Sequence, residues 1–498
     1  MIFDIAAKRA ELSPDRPAVY FAGRWYRYGE LNDRVTRLAG GLEHLGLGQG
    51  DRVSILAANH LAHLELILAT AKVGVVYTPF NYRLSAAEQQ LIADYIRPAL
   101  LFYDAEHAAK VPRGVRTIAL EGYDDWLRGA PAPSPAPPLD PEDIQMILFT
   151  GGTTGSPKGA MQPYRQGFYN AVNTVFSWNL RGDDCAVQAT PCFHAAVNAL
   201  SVPLLHLGGR VVVQRQFEPG DYLRLADEQD ATLLFMVPTM YQMLTEHPDF
   251  ATRDLSRVRW AISGGAPCPE PVREAFAARG VHFKQGYGLT EAGVNCFATE
   301  LEVAERKPNT VGRPVLHAEA EIRHEDGTSV ARGEIGELTL RGPHVFSGYF
   351  ERPEDTAKGF RGGWFWTGDL ARQDDEGDFT IVGRRKEMFI SGGENVYPAE
   401  IEAALYEHDA VAECAVMGVP DERWGEVGLA ALILRAGETL SEHEVRAHLK
   451  TQIAGYKVPK HVIVLDTFPK SGAGKILKHE IVTAFLGTDA RRDQNQVS

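Results

Sequence analysis

At 498 residues, with 44% hydrophobic and 23% charged residues, the chain has an ordinary globular composition and is too long for one core, so two or three domains are expected. A formal net charge of −14 leaves no excess of basic residues for nucleic acid or an anionic membrane. Five cysteines (185, 192, 268, 296 and 414), an odd number without C-x-x-C spacing, point to reduced thiols and exclude a simple disulfide frame or zinc site.

Asp4, Lys8 and Arg9 interrupt the N-terminus too early for a signal peptide. The longest apolar stretch, residues 64–80, contains Glu65 and Lys72 and falls short of a membrane span. A cytoplasmic protein without a transmembrane segment is expected. Residues 51–59 read as a buried strand running into a loop, and 60–73 as a helix that Gly74 can cap. Six prolines within residues 130–141 predict a stiff surface spacer.

Residues 144–149 form an apolar run that stops at Thr150-Gly-Gly-Thr-Thr-Gly-Ser-Pro-Lys-Gly159. Gly151, Gly152 and Gly155 let the backbone turn its N–H groups inward, Thr150, Thr153 and Thr154 add hydroxyls, and Lys158 adds a cation. Such a loop is a cradle for a polyphosphate, although the Walker A order cannot be laid over it. From 142 to about 290 the pattern strand, loop, helix recurs. Residues 233–237 stop at Pro238, which suits a first helical turn. Residues 257–263 stop at Gly264-Gly265-Ala266-Pro267, and residues 281–288 stop just before Thr290 and Glu291. Parallel sheets follow, with ligands at the carboxyl ends of their strands.

After 310 the alternation becomes stronger and predicts a small antiparallel barrel or sheet. The string Gly383-Arg384-Arg385-Lys386-Glu387 is a polar break, and beyond it a compact α+β domain begins. The expected fold is α/β, with two parallel subdomains and a barrel-like subdomain in residues 1–382. A hinge at 383–387 and a small mobile α+β domain at 388–498 complete it.

Five further strings match the opening loop in chemistry. Gly264, Gly265 and Ala266 would let a flat ring approach the backbone. Gln285-Gly286-Tyr287-Gly288-Leu-Thr290-Glu291 sets an aromatic, a hydroxyl and a carboxylate at a strand end. Asp369 suits a pair of ribose hydroxyls, Arg384 offers a nearby cation, and Lys475 sits on a flexible Gly-rich tip.

In this order and spacing, over roughly residues 10–485, the six strings resemble those of the adenylate-forming superfamily, which includes acyl- and aryl-CoA synthetases. The resemblance implies two half-reactions. A carboxylate first attacks the α-phosphate of ATP to give acyl-adenylate and pyrophosphate, and the thiol of coenzyme A then displaces AMP. It also implies that Tyr287 stacks on adenine and that Thr290 and Lys475 bond the α-phosphate. Glu291, with Thr150, would hold Mg²⁺. Rotation at Lys386 would exchange Lys475 for Ser391, Gly392 and Gly393, past which a pantetheine arm slides. Three departures are visible: Gly151 replaces a common Ser or Thr, Glu387 a common Asp, and the lysine loop is a loose version of the usual one.

His194 stands where amino-acid-activating relatives place an Asp, so an amino acid is not expected. It gates the acyl pocket, lies near the thiol or is structural. Met236, Pro238, Met240 and Val294 supply apolar walls that suit a medium- to long-chain fatty acid, the favoured substrate, or an aryl acid. The alternatives are transfer to a carrier protein's phosphopantetheine and a non-catalytic nucleotide- or acyl-CoA-binding regulator. No carrier domain follows Lys475, which favours free CoA, and retention of Glu291, Asp369, Arg384 and Lys475 disfavours the regulator. Superfamily members are commonly dimers, and no interface motif is visible here.

Overall fold

Two seven-stranded sheets form the frame of the first of two units in the computed structural model, which describes residues 3–150, 158–266, 268–470 and 476–496. The first unit comprises Met1–Cys268, Ala275–Ala320 and Leu340–Trp366, and the second Pro269–Glu274, Glu321–Thr339 and Thr367–Ser498.

One sheet orders its strands Phe283–Gln285, Trp260–Ser263, Leu233–Met236, Cys185–Gln188, Arg210–Val213, Pro17–Phe21 and Arg24–Arg27. The first six are parallel and the last closes an antiparallel hairpin. The other orders Gly348–Tyr349, Lys158–Pro163, Ile144–Thr150, Val76–Pro79, Arg52–Leu56, Leu100–Tyr103 and Thr117–Ala119. Its last five strands are parallel, and Lys158–Pro163 runs antiparallel to both of its neighbours.

Helix Leu61–Val73 is buried along its whole length and ends at Gly74, whose φ of 78° is the left-handed cap that a Cβ would strain. Its apolar character on all sides therefore reflects a core helix. The two charges that interrupt it are paired: Glu65 with Arg34, and Lys72 with Asp4 at 2.7 Å. Arg34 also reaches Asp124 at 2.8 Å, tying helix Tyr28–His44 to helix Tyr123–Gly129. Burial without such partners would cost several kcal/mol per charge.

The proline-rich stretch is mostly exposed, as expected, yet it is also docked. A Cβ at Gly40 would lie 1.9 Å from the Pro131 carbonyl oxygen, so only glycine admits the segment against helix Tyr28–His44. All five cysteines are buried and free of disulfides. Among the described residues no helix is long and apolar enough to cross a membrane.

In the second unit, residues 335–339, 367–373 and 379–384 lie side by side in a sheet. Beyond it, strands Glu394–Val396, Phe389–Ser391, Gly425–Leu434 and Val411–Asp421 are antiparallel neighbours, with His461–Val464 parallel to Gly425–Leu434. Strand periodicity divides the side chains between two cores. Cys414, Val416, Ala430 and Leu432 join Ile401, Leu405, Val445 and Leu449 on one face. Ala415, Met417, Leu429 and Ala431 join Phe468 and Ile481 on the other. Both faces are thus covered by helices, the α+β arrangement expected from 388 onward.

Candidate active site

Three strand ends of the first unit stand in register, Met236 beside Ser263 and Ser263 beside Gln285. The loops that follow them therefore emerge at one edge. Gly264 N–H donates to the Met236 carbonyl (3.2 Å), and Gly286 N–H to the Ser263 carbonyl (2.7 Å). The Gln285 carboxamide bridges the turn, donating to the Ala266 carbonyl (2.9 Å) and accepting from Cys268 N–H (3.1 Å). Gly265, with φ of 84°, and Ala266 are exposed. The turn thus presents bare backbone at a carboxyl edge, where a planar ring can lie. Tyr287 is half-buried, its ring edge-on to Phe297 at 5.7 Å. At Gly288 a Cβ would meet the Val294 carbonyl oxygen at 2.1 Å, which explains the glycine in steric terms.

The segment bearing Thr290 and Glu291 is fixed by residues that motif reading did not single out. Gln162 and Gln166 both donate to the Thr290 carbonyl, at 2.8 and 3.1 Å. Phe346 N–H donates to the Glu291 carbonyl (2.8 Å), and the Tyr349 hydroxyl to Glu291 Oε1 (2.9 Å). Lys158 pairs with Asp355 at 3.0 Å and lies 5.2 Å from the Tyr349 ring centre. Lys158 and Glu291, the two charged groups expected around a polyphosphate, are therefore linked through Tyr349. Hydrogen bonding to Lys158 holds the Asp355 carboxyl below its ordinary range. Burial, with the nearby Glu291 charge, pushes the Tyr349 hydroxyl well up, so it remains a donor.

Thr150 is the register partner of Lys158. A carboxylate and a hydroxyl are hard oxygen donors of the kind Mg²⁺ selects, and Glu291 is met by a neutral hydroxyl at Oε1, so the set fits that ion. Gly151, Gly152, Thr153, Thr154, Gly155 and Lys475 lie outside the described residues.

His194 precedes the short turn Ala195–Asn198, its ring tilted against Phe193 at 4.3 Å. Val294 packs on the core that contains Ala195 and Val197. Met236 is fully buried, whereas Pro238 and Met240 are half-buried on the helix that Pro238 opens. Burial pushes the Cys192 thiol up to about 12, so the cysteine next to Phe193 is no thiolate nucleophile.

In the second unit Asp369 and Arg384 are register partners on antiparallel strands and form an ion pair at 3.3 Å. Asp369 is buried and Arg384 is more open, so the guanidinium can move while the carboxylate stays. Glu337, another residue unmarked by any motif, accepts from Gly368 N–H (3.0 Å) and meets Arg385 (3.5 Å). Lys386 is exposed in a turn closed by Glu387 and Met388 N–H on the Arg384 carbonyl. Glu387 reaches Lys478 at 3.2 Å, and Glu402 takes the same ammonium at 2.7 Å. Ser391, Gly392 and Gly393 form a hairpin tip in which both glycines have positive φ, 60° and 89°. A Cβ at Gly392 would lie 2.8 Å from the Trp424 ring.

The AMP-binding enzyme model matches residues 6–350, and the AMP-binding enzyme C-terminal domain model matches residues 400–475. The chain belongs to the AMP-binding enzyme family. It is 40% identical over 479 residues to a feruloyl-CoA synthase from Amycolatopsis sp, covering 96% of this chain and 98% of that one. It is 34% identical over 461 residues to the long-chain-fatty-acid–CoA ligase FadD13 of Mycobacterium tuberculosis, covering 91% of each. The solved o-succinylbenzoate CoA synthetase of Bacillus subtilis, in complex with its acyl-adenylate intermediate, superposes with a TM-score of 0.88 at 29% identity, covering 96% of this chain and 97% of that one.

Proposed function

We propose that this acid–thiol ligase activates an aryl acid, of the arylpropenoic or substituted-benzoic kind, as its adenylate and transfers the acyl group to coenzyme A. The observation that carries the acid class is the 40% identity to a feruloyl-CoA synthase over nearly the whole of both chains. The fatty acid favoured by the apolar walls gives way for a physical reason as well. Met236 is wholly buried, and Val294 is packed on the core that contains Ala195 and Val197, so neither offers an open wall to a long flexible chain.

ATP, Mg²⁺ and coenzyme A are the cosubstrates and cofactor of this reading. The turn at Gly264, Gly265 and Ala266, exposed at its last two residues, receives the adenine, with Tyr287 beside it. Asp369 and Arg384 serve the ribose. Thr290 donates to the α-phosphate, and Glu291, with Thr150, holds Mg²⁺, which when bound offsets charge on the phosphates. Lys158 and the loop before it cradle the leaving pyrophosphate. Lys475 meets the charge that builds on the α-phosphoryl oxygens as the carboxylate attacks. Rotation of residues 388–498 at Lys386 withdraws Lys475 and brings up Gly392 and Gly393 for thiol attack. His194 borders the acyl pocket.

The test is pyrophosphate release with ATP and Mg²⁺ across hydroxycinnamates, benzoates, fatty acids of rising length and amino acids, with and without CoA. Release for one aryl class, with its acyl-CoA formed when CoA is added, is the expected outcome. A preference for fatty acids would overturn the acid class, and silence with every acid would overturn the reaction.

A further inference from the structure

Tyr349 lies nearly sixty residues beyond Glu291 in the chain and outside the strings that pointed to the site. It belongs to the two-residue strand Gly348–Tyr349, paired antiparallel with the strand Lys158–Pro163, Tyr349 opposite Ala160. This pairing sets its ring between two groups of the phosphate region. The hydroxyl donates to Glu291 Oε1 at 2.9 Å, and Lys158 Nζ stands 5.2 Å from the ring centre. The ring is held in turn. Phe346 packs edge-on at 5.0 Å, and Tyr349 N–H donates to Thr356 Oγ1 at 2.9 Å. Phe346 N–H also bonds the Glu291 carbonyl, so one short segment grips both the backbone and the carboxylate of the same residue.

We propose that Tyr349 is a positioning residue that fixes the Glu291 carboxylate for its divalent cation. The inference rests on the reading of Glu291 as the Mg²⁺ carboxylate. A Glu side chain has three rotatable bonds, and a ligating carboxylate that must be ordered as the ion binds pays rotamer entropy at that moment. The Tyr349 hydroxyl occupies Oε1 and leaves Oε2 as the oxygen for the cation. It thereby orders the carboxylate beforehand, the part that hydrogen-bonded neighbours of metal ligands play in general.

The test is Tyr349→Phe, which keeps the ring and removes one oxygen. Mn²⁺ binding in the presence of ATP and without carboxylic acid, read by electron paramagnetic resonance, should weaken roughly tenfold. The KM for the acid should stay as in wild type, and the melting temperature in the absence of metal should fall by no more than the few degrees that one lost hydrogen bond costs. In a double-mutant cycle, Tyr349→Phe should add little to the loss caused by Glu291→Gln, because the hydroxyl acts through that carboxylate. Wild-type Mn²⁺ affinity in Tyr349→Phe, or a loss that adds in full to that of Glu291→Gln, would overturn the role of Tyr349 alone. Absence of metal-dependent ATP binding in the wild type would overturn the reading of Glu291 as well.

Discussion

The segment that carries Glu291 and the turn that carries Lys386 are both short polar breaks next to strands, yet they are held in different ways. Thr290 and Glu291 are gripped by side chains from two separate stretches, Gln162 and Gln166 on one and Tyr349 on the other, with Phe346 N–H on the backbone. The Lys386 turn itself is closed by neighbours in sequence, two N–H groups sharing the Arg384 carbonyl, and its lysine is exposed. The longer-range ties fall on the residues beside it, Arg385 to Gly368 and Glu337, and Glu387 to Lys478. The difference teaches a division of labour. Groups that stabilise developing charge gain from being fixed before the reaction, because no reorganisation is then needed. A segment about which a domain turns gains from local bonds that can re-form.

Breaking the comparison from the lysine side should have the largest effect. Lys475→Ala should lower acyl-adenylate formation by about 10²–10³-fold. Thioester formation from supplied acyl-adenylate should be largely retained, and equal loss of both half-reactions would contradict the two-conformation reading. Lys386→Pro, which locks one backbone angle of the turn, should spare one half-reaction and slow the other by about tenfold. Single-turnover rates measured for each step would show it.

The fixed segment can be loosened in graded ways. Gly288→Ala drives a methyl into the Val294 backbone, and should cost about 1–3 kcal/mol in denaturant unfolding together with adenylation rate. Gln162→Leu and Gln166→Leu each remove one donor from the Thr290 carbonyl, about 1 kcal/mol apiece. The second substitution should hurt more in the presence of the first, since either donor alone still serves the carbonyl.

An effect that spares the site and bears on the whole fold is a pH dependence of stability. Burial lowers His63 to about 3 and His344 to about 4. Both fall below the ordinary imidazole value, so the unfolded chain binds the additional protons. Stability should hold above about pH 6.5 and decline as pH falls toward 4, by up to about 2 kcal/mol per histidine at pH 5. His63→Gln should flatten the slope of unfolding free energy against pH between 6.5 and 4.5 by nearly one proton.

Much of the frame was legible because it is local. Gly74 after an apolar helix, Pro238 at the start of another and Gly264 at a strand end each impose a backbone geometry at their own position. The compact α+β domain expected beyond the polar break at 383–387 likewise appears, its sheet carrying a core on each face. The supports of the site were not legible. Tyr349 meets Glu291 through a strand of two residues, too short to leave a periodic signal, and Asp355 meets Lys158 from a helix far along the chain. Gln162 and Gln166 look like ordinary polar residues until the fold brings the Thr290 carbonyl to them. The charges in the stretch 64–80 mark it in the sequence as unsuited to a membrane, whereas their partners, Arg34 and Asp4, become visible only in three dimensions.

The most direct measurement is a single turnover with ATP, Mg²⁺ and a hydroxycinnamic acid in the absence of CoA, followed by addition of CoA. The account predicts a burst of about one pyrophosphate per enzyme with the aryl-acyl adenylate held on the protein, then acyl-CoA and AMP together once the thiol arrives. ADP and phosphate as products, or no pyrophosphate until CoA is present, would contradict it.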